Sequence, residues 1–252
     1  MSFFWIWNGK RIKQSFIIVT AAFFSAIILF VEGGDLAVFT ANDIPLAIDQ
    51  VKSKEKNLAL TFDISWGETK ALPILEELKK NKVKASFFIS GAWAERHPEI
   101  VEQIVKGGHE IGNLGYKYEN YTNMEDDEIR KDIIRSSEAI KKIAGDQPIL
   151  LRPPNGNFDK RVLTVSDKLN YTVIHWSLDS EDWKNPGTDT IIENVTNDVD
   201  PGDIVLLHAS DSAKQTEAAL PSMISTLKKS GYSFVTVSEL VSNASIKTKE
   251  IK

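Results

Sequence analysis

Asp63, Arg152, Asp179, Asp182 and His208 are the side chains through which this chain could move protons, and each follows an apolar run. Leu58, Leu60 and Phe62, with β-formers between them, read as a core strand that delivers Asp63 into Ile64-Ser65-Trp66-Gly67, a break into a turn. Helical spacing resumes after Glu68 with Leu72, Leu75 and Leu78. Asp63 therefore stands at a strand's carboxyl end, where α/β folds bind ligands and do chemistry. An Asp there can also cap the helix that follows. Arg152 closes a run at 149–151, Asp179 and Asp182 trail one at 172–176, and His208 closes one at 204–207. If these strands are parallel, their ends converge. An Asp, an Arg, a further Asp and a His in one cleft supply a base, its electrostatic partner, an acid and the group that orients that acid.

The elements that must position them alternate in type. Strand patterns at 58–62, 85–89, 110–113, 149–151, 172–176, 204–207 and 234–237 are separated by amphipathic helix patterns at 68–80, 98–106, 125–143, 159–169, 189–199 and 217–229. Seven strands alternating with helices imply an α/β fold on a parallel sheet, closed into a barrel or open and doubly wound. A length of 252 residues suits one large α/β domain plus extensions. The net charge of -5 gives no basic face for nucleic acid, and the absence of cysteine excludes disulfides, thiol nucleophiles and cysteine metal sites.

Lys10, Arg11 and Lys13 precede a charge-free run at 15–31 that is rich in Phe, Ile and Ala. This composition predicts an uncleaved signal anchor, with the basic flank inside and the remainder extracytoplasmic, so that the membrane itself is a partner. The resulting division is a flank and anchor over 1–34, a tether over 35–56, a folded domain over 57–245 and a charged tail over 246–252.

Thr61-Phe62-Asp63, Gly108-His109-Glu110-Ile111-Gly112-Asn113, Arg152-Pro153-Pro154, Asp179-Ser180-Glu181-Asp182-Trp183 and Leu206-Leu207-His208 occur in that order. Together they resemble the five motifs of polysaccharide deacetylases, carbohydrate esterase family four with its NodB homology domain. The resemblance extends over residues 57–240 and is strongest to the sporulation-associated, PdaB-like branch. It implies a distorted barrel of about seven parallel strands, in agreement with the alternation above. By position, Asp63 resembles the general base, Arg152 the cation beside it, His208 the general acid and Asp182 the carboxylate that orients His208, with Asp179 as a stand-in. The backbone amide of Asn155 resembles the oxyanion donor, and Leu206 and Trp183 resemble walls of an acetyl pocket. Trp66 and Tyr116, with Tyr118 and Trp176, are aromatics near the cleft that could stack on sugar faces.

The resemblance also implies a divalent metal, but the three ligand positions carry Ile64, Leu114 and Tyr118, so no metal or other cofactor is expected. Two functions follow. One is hydrolysis of N-acetyl groups on cell-wall or spore glycan without the usual metal; the other is a catalytically inactive glycan-binding or scaffold protein on the same fold.

Overall fold

A computed structural model describes residues 45–242 and 245–249. In chain order the strands are β1 (Ala47–Lys52), β2 (Asn57–Ile64), β3 (Ser86–Ile89), β4 (Glu110–Asn113), β5 (Leu150–Leu151), β6 (Thr172–Ile174), β7 (Leu178–Asp179), β8 (Ile204–His208), β9 (Ser233–Phe234) and β10 (Ser245–Lys249). The helices are α1 (Ala71–Lys80), α2 (Gly91–Arg96), α3 (Pro98–Lys106), α4 (Asp126–Ala144), α5 (Lys160–Lys168), α6 (Thr188–Thr196), α7 (Thr216–Lys229) and α8 (Val237–Ser242). Eight strands form one parallel path in the order β1-β6-β5-β4-β3-β2-β8-β7, a curled half-barrel; β10 adds antiparallel to β1 and β9 pairs with β2.

Strand β2 shows why the sheet buries both faces. Leu58, Leu60, Phe62 and Ile64 join a cluster with Ile74 and Leu78 of α1, Ile104 of α3 and Ile224 of α7. Ala59, two residues before Thr61 and four before Asp63, joins Phe88, Leu114, Leu150, Ile174 and Ile204 in a second cluster on the other face. A side-chain period of two thus gives the helices one set and the inside of the curl the other, and Asp63 falls in the inner set.

The sheet reaches beyond the expected domain limits. Residues 47–52, read as tether, form β1, with Ala47 and Ile48 paired to Val173 and Ile174 of β6. A register shift between Ile48 and Gln50 breaks the alternation, which is why the segment carries no period-two signal. The Val51 N–H donates to the Gly202 carbonyl at 2.9 Å and Gln50 Nε2 to Asp203 Oδ1 at 2.7 Å, drawing β1 toward the chain that leads into β8. At the other end, residues 245–249 of the expected tail form β10. Within the domain, the two-residue β7 and the short α2 and α8 are additions, and the strand expected over 234–237 ends at Phe234 because Val237 already opens α8.

The expectation of a membrane-anchored protein with an extracytoplasmic domain is corrected. Among the described residues no helix is long and apolar enough to cross a membrane, and the run at 15–31 lies outside the described residues.

Gly202 is the tightest backbone approach in this arrangement. Its φ is +92°, and a Cβ there would lie 1.7 Å from the Val51 carbonyl oxygen. Gly202→Ala is expected to destabilise the domain by at least about 2 kcal/mol, measured by denaturant unfolding, whereas Gly145→Ala, with the same strained φ sign but open space, costs less.

Candidate active site

Asp63 and His208 are direct register partners on the neighbouring parallel strands β2 and β8. Strands in a sheet lie about 4.8 Å apart, so the two heads open side by side at the carboxyl edge. Arg152 follows β5 immediately; its Nη1 donates to Asp63 Oδ1 at 2.7 Å and its Nη2 to the His175 carbonyl at 3.0 Å. Arg152 is wholly buried and Asp63 nearly so. The guanidinium lies over the Phe88 ring at 4.1 Å and the Trp176 ring at 5.5 Å, which supports its charge where water cannot. Removing one partner of such a pair strands the other and costs about 3–5 kcal/mol.

The second pair is more completely bonded. His208 Nδ1 lies 2.7 Å from Asp182 Oδ1, while Asp182 Oδ2 accepts from the His208 backbone N–H at 2.7 Å and from Thr216 Oγ1 at 2.6 Å. A carboxylate can only accept, so Nδ1 carries hydrogen and Nε2 is left for the cavity. Burial lowers the His208 pKa, but the hydrogen bond to Asp182 and the charges of Asp182, Asp63 and Asp179 outweigh it, leaving the pKa above the ordinary 6.5. The imidazole is thereby kept in the form that can give up a proton.

A cavity of about 480 Å³ opens between these pairs. Of the residues expected from sequence, Asp63, His208, Asn155, Leu206, Trp66 and Trp183 line it. Arg152 and Asp182 stand directly behind, through their bonds to Asp63 and His208. Asn155 has a φ of +58° in the turn after Arg152-Pro153-Pro154 and lines the cavity. Trp66 and Trp183 are about half exposed, at 53% and 50%. The loop bearing Trp66 is held by the Trp93 indole N–H on the Gly67 carbonyl at 2.6 Å and by Asp211, which accepts the backbone N–H groups of Thr69 at 2.9 Å and Lys70 at 3.0 Å.

Tyr116 is not part of the cavity. Its hydroxyl donates to Glu95 Oε2 at 2.7 Å and accepts from Arg135 Nη2 at 2.8 Å, with the Arg135 guanidinium 3.7 Å over the ring, so it braces α2 against α4. Of the other aromatics expected near the cleft, Tyr118 and Trp176 do reach the wall, joined by Asp179 and by three residues sequence reasoning missed, Ser65, Ser210 and Ser212. Nothing in a serine's local pattern distinguishes a cavity position from a turn.

The residues present do not fit the family's divalent metal. Ile64 is packed between sheet and helices, Leu114 in the inner cluster, and both are fully buried hydrocarbons. Tyr118 reaches the cavity, but burial and the Asp63 charge, opposed by the Asn155 backbone N–H and Arg152, push its pKa up to about 12. Among the described residues no group of three His, Cys, Asp or Glu side chains is placed to hold an ion.

The His208–Asp182 pair yields a direct test. By NMR titration His208 is expected to titrate above 6.5, and lower in Asp182→Asn than in the wild type, because burial remains while the Asp182 hydrogen bond and charge go. The pair's contribution to stability is complete below about 6.5 and is lost as pH rises through the raised value.

Comparison with known proteins agrees with this geometry. The polysaccharide deacetylase family model matches residues 50–174. The peptidoglycan-N-acetylglucosamine deacetylase of Bacillus cereus is 37% identical over 195 residues, covering 76% of this chain and 91% of the relative. The peptidoglycan-N-acetylmuramic acid deacetylase of Bacillus subtilis is 32% identical over 193 residues, covering 75% of this chain and 73% of the relative. Among solved structures, a CE4 family pseudoenzyme from Bacillus anthracis is 33% identical with a TM-score of 0.75, over 79% of this chain and 70% of that one. The chain belongs to the polysaccharide deacetylase family.

Proposed function

We propose that this protein hydrolyses N-acetyl groups from the amino sugars of peptidoglycan-type glycan, in cell wall or spore, without a divalent metal. The observation that carries the reading is the pairing of Asp63 with Arg152 and of His208 with Asp182, each at 2.7 Å, with both pairs opening into one cavity. In this reading Asp63 takes a proton from water as the water oxygen bonds to the acetyl carbon, and Arg152 compensates the carboxylate's charge. Asn155 lines the cavity, and in this reading its backbone N–H donates to the developing oxyanion. His208 then protonates the sugar nitrogen as the C–N bond breaks, leaving acetate and a free amine. Trp66 and Trp183 offer half-exposed faces on which sugar rings can stack, and Leu206 gives the cavity an apolar wall suited to an acetyl methyl.

A second reading, glycan binding without turnover, is favoured by the hydrocarbon side chains at two of the family's metal positions and by the similarity to a protein described as a pseudoenzyme. The two separate in one assay. Protein stripped with a chelator is incubated with N-acetylglucosamine oligomers and with peptidoglycan, and acetate is measured. Acetate release that survives chelation and falls on the order of 10²–10⁴-fold in His208→Ala supports hydrolysis. Asp63→Asn is expected to abolish it. Saturable binding with no acetate from the wild type supports the second reading instead.

A further inference from the structure

Tyr118 is the one metal-ligand position of the family that opens onto the cavity in this chain. Its backbone is unusual: φ is +62°, a left-handed conformation that a bulky side chain rarely adopts. The loop around it is held firmly enough to impose that conformation. Asp132 Oδ2 accepts the Tyr116 N–H at 2.7 Å and the Tyr121 hydroxyl at 2.9 Å, Asn113 Oδ1 accepts the Gly115 N–H at 2.8 Å, and Ser136 donates to the Gly115 carbonyl at 3.0 Å. Strain maintained by a buried network, at a residue that packs against the inner apolar cluster and also lines the cavity, points to a task for its hydroxyl.

Tyr118 and Asn155 line the same cavity as Asp63 and His208, so the phenol stands within the site where the acetyl oxygen would be held.

We propose that the Tyr118 hydroxyl is the electrophilic group of this site, donating a hydrogen bond to the acetyl oxygen as that oxygen becomes an anion, in the role a metal ion fills in relatives that bind one. The proposal rests on the deacetylase reading above. As water adds, the new C–O bond forms, Asp63 receives the proton, and the carbonyl π pair moves to the oxygen held by Tyr118. When the pair returns, the C–N bond breaks and the His208 proton goes to nitrogen. Asp63 then loses its proton to solvent and His208 regains one. Tyr118 keeps its proton throughout, in keeping with a pKa pushed up to about 12.

Tyr118→Phe removes only the hydroxyl. With chelator-stripped protein and N-acetylglucosamine oligomers, kcat is expected to fall on the order of 10²–10³-fold while KM moves less than about threefold. If Tyr118→Phe keeps wild-type kcat while Asp63→Asn is inactive, the proposal is wrong and the deacetylase reading stands. If the wild type releases no more acetate than Asp63→Asn, both fall. A second measurement does not depend on turnover: calorimetric binding of a methylphosphonamidate analogue of the acetylated sugar, a tetrahedral anion. The wild type is expected to bind it at least about tenfold more tightly than Tyr118→Phe, with the N-acetyl oligomer bound equally by both. Equal affinity for the phosphonamidate would overturn the assignment.

Discussion

A carboxylate removed from water must be answered by a cation or by hydrogen-bond donors, and the inner face of this sheet is arranged around two that are answered differently. Asp63 is met by the buried Arg152, a charge against a charge. Asp182, fully buried, is met by three donors, one of them the ring of His208. The difference decides what each pair can do. Arg152 cannot give up its proton, so the Asp63 pair retains a charged acceptor beside the cavity; the imidazole can, so the Asp182 pair retains a donor. Because Asp63 and His208 are register partners on adjacent strands, acceptor and donor stand next to each other, and only their hidden partners keep them from the same role.

That register is itself a product of the alternation along β2 and β8. A slip of one residue would turn Asp63 and His208 toward the helices and send Phe62 and Leu207 inward, exchanging two apolar side chains for two polar ones in a layer packed with Ile74, Leu78 and Ile224. Burial on both faces of the sheet therefore fixes the site to within a residue. The loops above it are set by a different means, backbone groups captured by carboxylates: Asp211 beneath the Trp66 loop and Asp132 beneath the Tyr118 loop. Strong periodicity builds the floor of the cavity, and local polar capture builds its walls.

This division explains what could be read from the sequence. Asp63, Arg152 and His208 were legible because each ends an apolar run, a signal that survives without any neighbour in view. Strand β1 was not, because its register shift scrambles the alternation and its strand character comes from pairing with β6. Tyr116 and Tyr118 look equivalent as aromatics two positions apart in one loop. The positive φ at Tyr118 and the Glu95 and Arg135 partners of Tyr116 send one side chain to the cavity and the other to the interface of α2 and α4, and neither cause is local. The extent of the parallel sheet was legible in kind but not in number, since β7 is two residues long and β1 carries a register shift.

The charged side chains around this cavity largely balance one another. Asp63 with Arg152 and Asp182 with protonated His208 are each neutral as pairs, and Asp179 adds a further negative charge on the wall, where its Oδ1 accepts the Glu181 N–H at 2.8 Å. The charges of Asp63 and Asp179 both act to raise the His208 pKa, so the acid's strength is set partly by the base and partly by a residue that need not touch substrate. It follows that substitutions among these residues are not independent. Neutralising Asp63 removes an acceptor and at the same time weakens the hold on the His208 proton, so a double substitution with Asp182 should cost less than the two single losses combined. Such non-additivity is a property of charges sharing one low-dielectric space, and it would hold whether or not the cavity turns over what it binds.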